Sequence, residues 1–167
     1  RYRDNIRIYV AKGRGLPVSD NVANMLRIED ECGLNDLVTY TDFSSRARAG
    51  KNKFVRLIDT IKAEGKSVVA NSCPGRAVSL LNFYEIDKNN IEYIVESPSS
   101  TKVGKYIPGL HIPIISNEVL ESNKPDYIII LAWHYAENII DQLSSRGIMS
   151  DFIIPLPDLR IVKSTLR

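Results

Sequence analysis

The chain has 167 residues, with 22 lysines and arginines against 20 aspartates and glutamates, a net charge of +2. Its 44% hydrophobic and 25% charged residues are those of an ordinary soluble domain, long enough to bury about 70% of its unfolded surface without crosslinks. A disulfide miniprotein, a disordered tail and a dedicated nucleic-acid binder, which would carry a strong basic excess, are thereby excluded. In chain order, Arg7-Ile8-Tyr9-Val10 predicts a short strand, ended by Lys12-Gly13-Arg14-Gly15 and Pro17. Ser19 or Asp20 caps a first helix with Val22, Met25, Leu26 and Glu29 at helical spacing, and Gly33 stops it. A longer helix is expected over Asp42 to Glu64, with the apolar stripe Phe54, Leu57, Ile58 and Ile61 and with Gly65 at C′.

From Lys66 strands and helices alternate. Ser67 to Ala70 reads as a strand, Asn71 to Gly75 as a small-residue turn, and Arg76 to Tyr84 as a helix carrying Val78, Leu80, Leu81 and Phe83. A strand over Ile91 to Val95 ends at Glu96, and the Pro/Gly-rich excursion Pro98 to Pro113 cannot be regular helix. Tyr127 to Leu131 is apolar throughout, as a central parallel strand covered on both faces should be. A helix over Tyr135 to Arg146, with Ile139, Ile140 and Leu143 inward and Gly147 at its end, leads to a last strand, Asp151 to Ile154, closed by Pro155-Leu156-Pro157. The expectation is an α/β fold: a Rossmann-like open parallel sheet over 66–167, preceded by a strand and helical connector over 1–65.

The basic stretch Arg46, Arg48, Lys51, Lys53 and Arg56 reads as a solvated helix face. Two cysteines, Cys32 and Cys73, form no CxxC pair, and two histidines, His111 and His134, give no metal-site spacing. Reduced thiols, no metal and a cytoplasmic location are expected. The apolar run Tyr127 to Trp133 falls short of the roughly 18 residues of a membrane span, and no signal peptide is visible.

In such a sheet ligands bind beyond the carboxyl ends of the strands, where strand order reverses. That rule selects the turn Ala70 to Arg76, whose Ser72, Cys73 and Gly75 backbone sits at a helix N-terminus suited to phosphate, with Arg76 as a charged fork. It also selects Glu96, about 20 residues on, where an acid accepts ribose hydroxyls, and Trp133-His134-Tyr135 leaving the third strand. Each has a plain alternative. The turn lacks G-x-G-x-x-G and reads equally as structural, Glu96 as a solvated strand end, Trp133 as packing, and His134 as a cap or surface residue. No G-x-S-x-G elbow, P-loop or H-E-x-x-H occurs, and no catalytic residue is assigned.

Several segments are similar to the C-terminal domain of sugar-nucleotide C-methyltransferases, S-adenosylmethionine-dependent enzymes that build branched deoxysugars. Ser72-Cys73-Pro74-Gly75-Arg76-Ala77-Val78-Ser79-Leu80-Leu81-Asn82 resembles that family's G-A-P-A-K-G-N-T-L-L-N. Val95-Glu96-Ser97-Pro98 and Lys102 through Ile114 resemble V-D-x-x-P and K-x-G-x-x-x-P-G-x-H-I-P-I. Lys124-Pro125-Asp126-Tyr127 to Leu131-Ala132-Trp133-His134 resembles K-P-D-Y…L-x-W-N, and Phe152 to Pro157 its last strand. Asn5 to Val10 resembles the S-L-R-V-Y-V strand that ends the family's methyl-donor domain, and the long helix its connector. The chain departs from the pattern at Tyr2, Arg3 and Asp4, which stand where the family carries His-Gly-Gly. Arg76-Ala77-Val78 replaces K-G-N, and Glu96 replaces Asp.

The resemblance implies the substrate-binding portion of a methyltransferase acting on a nucleoside-diphosphate sugar, with S-adenosylmethionine held by an upstream domain outside this chain and none within it. That upstream domain is the implied partner, and the chain alone is expected to be inactive. The substrate residues implied are Ser72, Cys73, Gly75, Arg76, Glu96, Lys102, Lys105, His111, Trp133 and His134, with Lys102 and Lys105 neutralising diphosphate. An NAD-type oxidoreductase module and a non-catalytic interaction domain remain the alternatives, and homo-oligomerisation stays open.

Overall fold

The computed structural model describes residues 6–13, 15 and 17–164; the altered positions Tyr2, Arg3 and Asp4 lie outside them. The chain divides after Ser44, and each unit is described by itself.

The first unit holds α1 (Asp20–Glu31), capped by Ser19, whose hydroxyl accepts from the Asn21 N–H at 3.3 Å. Gly33, with φ of +67°, turns the chain out of the helix, and Thr39 donates to its carbonyl at 2.7 Å. α2 starts at Leu37, five residues before the expected Asp42, and runs to Ala63. The expected strand Arg7–Val10 is exposed and joins no ladder among the described residues. β-prone side chains do not make a strand without a partner edge to satisfy the backbone.

The second unit is a six-stranded sheet in the order β3-β2-β1-β4-β5-β6. The strands are β1 (Val68–Asn71), β2 (Ile94–Glu96), β3 (Ile114–Ser116), β4 (Tyr127–Ile130), β5 (Asp151–Ile154) and β6 (Arg160–Val162). β1 pairs in parallel with both β2 and β4, β3 with β2, and β5 with β4. β6 returns antiparallel on β5, an edge beyond the strand expected to be last. β2 begins three residues later than expected because Asn90 and Ile91 close a turn onto Asp87. α3 (Gly75–Tyr84), α4 (Val119–Ser122), a 3-10 turn (Trp133–Tyr135) and α5 (Ala136–Ser145) complete the unit.

Every residue of β1, β4 and β5 is buried, as a sheet covered on both faces requires. Alternation sorts them. Val68, Ala70, Tyr127 and Ile129 face a core with Phe54, Ile58 and Ile61 of α2 and Ala77 and Leu81 of α3. Val69, Ile128 and Ile130 face a second core with Leu120, Ala136 and Leu143. The last turns of α2 share the first core, although the composition changes only at Lys66. No helix among the described residues is long and apolar enough to cross a membrane.

Candidate functional site at the carboxyl edge of the sheet

Strand order reverses between β1 and β4, so the crevice for ligands opens beyond Asn71 and Leu131. The chain leaves β1 through Ser72, which takes φ of +67°, a left-handed conformation that costs a serine roughly 1 kcal/mol. Its hydroxyl donates to Asn71 Oδ1 at 2.9 Å, a local bond of the kind that makes the conformation tolerable. Pro74 then caps α3, and Gly75 opens it.

Glu96, at the end of β2, ties this turn down. Its Oε1 accepts the Cys73 N–H at 2.7 Å and lies 3.4 Å from Lys102 Nζ, which also donates to the Cys73 carbonyl at 2.6 Å. The Ser72 N–H is likewise used, on Val95 O at 2.9 Å. Burial pushes the Cys73 thiol up, with Lys102 opposing and Glu96 adding to the rise. The thiol is therefore no poised nucleophile.

Thus the structure brings Cys73, Glu96 and Lys102 into one hydrogen-bonded cluster, with Ser72 next to it in the chain and bonded to Asn71 and Val95. Gly75 stands exposed on the first turn of α3, and a Cβ built there meets nothing within 4 Å, so the space over that turn is open. The Arg76 guanidinium lies 5.7 Å from the Trp133 ring centroid, and the His134 ring 5.3 Å from the same indole. Lys105 and His111 sit farther along the excursion. Lys105 accepts from the Ile114 N–H at 2.8 Å, and exposed His111, with φ of +55°, donates its N–H to Ile107 O. That loop leans on α3, where Asn82 donates to Pro108 O at 3.3 Å. Val78, where the resembled family carries Asn, packs half-buried against the first core.

The residues that chain-order reasoning missed lie across the sheet. A cavity of about 440 Å³ is lined by Asn71, Ser72, Glu96 and Ser97 from the ends of β1 and β2, by Asn117 after β3, and by Ile139, Gln142, Leu143, Ser145 and Arg146 at the end of α5. Arg146 spans the gap, donating to Asn117 O at 3.3 Å and Glu121 Oε1 at 2.8 Å. Asn71 carried a signal, a polar residue closing an otherwise apolar strand. Gln142 and Arg146 carried none, because only the crossing of α5 over the sheet brings them there.

The Cys73 N–H is taken by Glu96 Oε1, the same oxygen that faces Lys102, which leaves Oε2 outside these contacts.

A profile of the C-methyltransferase C-terminal domain family matches residues 5–157. The C-methyltransferase NovU of Streptomyces niveus is 32% identical over 147 residues, 86% of this chain and 34% of the relative, so the chain spans about a third of that protein's length. The matched range runs from before α1 through β5 and includes the turn after β1 and the Pro-Gly excursion, and with it the chain belongs to the family of C-methyltransferase C-terminal domains.

Proposed function

We propose that this chain is the substrate-binding portion of an S-adenosylmethionine-dependent C-methyltransferase whose substrate is a nucleotide-linked sugar. Transfer of a methyl group to carbon needs a base that raises a carbanion and a partner for the enolate charge. S-adenosylmethionine, when bound, supplies the methyl group; the reading assigns it to residues outside this chain. The residues at the carboxyl edge hold the substrate in place, a contribution worth several kcal/mol where orientation is the obstacle. The observation that carries the reading is the joint geometry of that edge, with a polar cavity on one side of β1 and an open α3 N-terminus beside Arg76 on the other. There the Gly75 and Arg76 N–H groups and the guanidinium receive the diphosphate.

Isothermal titration with a dTDP-hexose, S-adenosylhomocysteine and NAD tests it. The sugar nucleotide binds and the other two stay silent, and Arg76→Ala weakens binding about tenfold, or ~1.4 kcal/mol. Binding of S-adenosylhomocysteine would move the donor into this chain and sink the assignment. NAD binding would turn the reading toward an oxidoreductase module.

A further inference from the structure

The cavity under α5 has a chemistry of its own. Asn71 is only 8% exposed, and its Oδ1 is satisfied by Ser72. Its Nδ2 has no partner among the described residues and belongs to the cavity wall. No fully buried side-chain polar atom among the described residues lacks a partner, so this donor opens onto the solvent of the cavity, where an acceptor on a ligand would replace water. The side chains of Asn117 and Gln142 are likewise uncommitted among the described residues, and Glu96 keeps Oε2 while Oε1 holds the turn.

The charged groups are already matched. Glu96 lies against Lys102, and Arg146 against Glu121. A phosphate entering here would meet a carboxylate and a guanidinium already neutralised, and would gain little. A ring bearing several hydroxyls meets carboxamides and a carboxylate oxygen that donate and accept around its rim. Ile139 and Leu143 offer an apolar patch for its C–H face. The volume of about 440 Å³ lies within the roughly 300–1,000 Å³ usual for small-molecule sites.

We infer that this cavity is a subsite for an uncharged polyhydroxylated ring, with Asn71 Nδ2 donating to a ring hydroxyl and Glu96 Oε2 accepting from one. The inference rests on the function proposed above and refines it: the ring lies on the α5 side of β1, apart from the diphosphate at α3. The hexose and the nucleoside sugar share this chemistry.

The side-chain amides of Asn71, Asn117 and Gln142, followed by nitrogen-15 NMR in the whole chain, report on the cavity. Free hexose, thymidine and sodium pyrophosphate are added in separate titrations, then the intact dTDP-hexose. One of the two ring compounds moves these signals in a saturable way while pyrophosphate leaves them still, and which one does so tells hexose from nucleoside sugar. Ser97→Trp, which fills the cavity from its exposed rim, reduces the affinity for that compound at least tenfold with the remaining amide spectrum intact. Pyrophosphate moving the signals in place of either ring overturns the inference. So does a dTDP-hexose that binds and shifts Gly75 and Arg76 but leaves the cavity amides unmoved, although the proposed function then stands. Silence toward every compound, the sugar nucleotide included, overturns both.

Discussion

Glu96 does two jobs through one oxygen, Oε1, accepting the Cys73 N–H and pairing with Lys102, and substitutions separate them. Glu96→Ala leaves the part-buried Cys73 N–H without its acceptor, a loss of about 1–3 kcal/mol in urea unfolding. Glu96→Gln keeps an acceptor and gives up only the half-exposed ion pair with Lys102, for under about 1 kcal/mol. Equal losses for the two variants would show that charge, and not the hydrogen bond, holds the turn. Gly109 is a second sensitive position. Its φ of +83° excludes most side chains, and an added Cβ would stand 2.9 Å from Asn82 Oδ1. Asn82 is itself bonded to Val78 and Pro108, so Gly109→Ala lowers stability by ~1 kcal/mol or more and loosens the excursion from α3.

α2 shows how one helix serves a sheet it precedes. Its stripe at Phe54, Ile58 and Ile61 is buried, and the Phe54 ring lies 5.3 Å from that of Tyr84 on α3. Arg46, Arg48, Lys53 and Arg56 are exposed, as expected of a solvated face, whereas Lys51 of the same stretch is half-buried and pairs with Glu85 at 2.6 Å because it lies over α3. Ile58→Ala is therefore expected to cost about 2–5 kcal/mol through lost contact and cavity. Arg56→Ala should stay within about 0.5 kcal/mol, since its side chain is exposed and the Thr60 hydroxyl bonds to its backbone carbonyl. Thermal unfolding of the pair reads the difference. Similar values would mean that α2 does not rest on the sheet. α5 buries less, with only Ala136 and Leu143 fully covered, and its half-buried Ile139 becomes cavity wall.

Across the molecule, the order of the central strands is pinned by polar groups at their amino ends. Asp126 Oδ2 accepts both the N–H and the hydroxyl of Ser67 at 2.8 Å, and the Ser67 hydroxyl in turn accepts the Asp126 N–H at 2.9 Å. This joins the entrances of β1 and β4 across 59 residues of chain. The Ser67 backbone N–H, then its hydroxyl, hold the Asp126 carboxyl below the usual carboxylate value. A native value below the unfolded one means the unfolded chain binds the proton first. The stabilisation is thus fully present above about pH 4 and is lost as pH falls through the lowered native value. Asp126 is exposed, so the contribution is modest, about 0.5–1 kcal/mol. Asp126→Asn should lower the melting temperature at pH 7, by a gap that narrows as the pH falls below about 4. A gap that persists in acid would assign the effect to shape, not charge.

Much of this architecture lies in local pattern. The fully apolar runs at Val68, Tyr127 and Phe152 had to be covered on both faces, and Gly65 and Gly147 had to end helices, because each requirement is met within a few neighbouring residues. The turn after β1 and Glu96 were visible for the same reason, since both sit where strands run out. The segment Arg7–Val10 had the composition of a strand and joins no ladder, because pairing belongs to two segments and not to one. Lys102 had the charge for a diphosphate, and only the fold shows that its ammonium also donates to Cys73 O and lies 3.4 Å from Glu96. The cavity lay beyond local reading altogether. Asn71, Asn117 and Arg146 meet only because the β3-β2-β1-β4 order sets three strand ends side by side and α5 crosses to them. Periodicity determines which face of an element is buried, whereas long-range packing determines which unspent polar groups end up sharing a space.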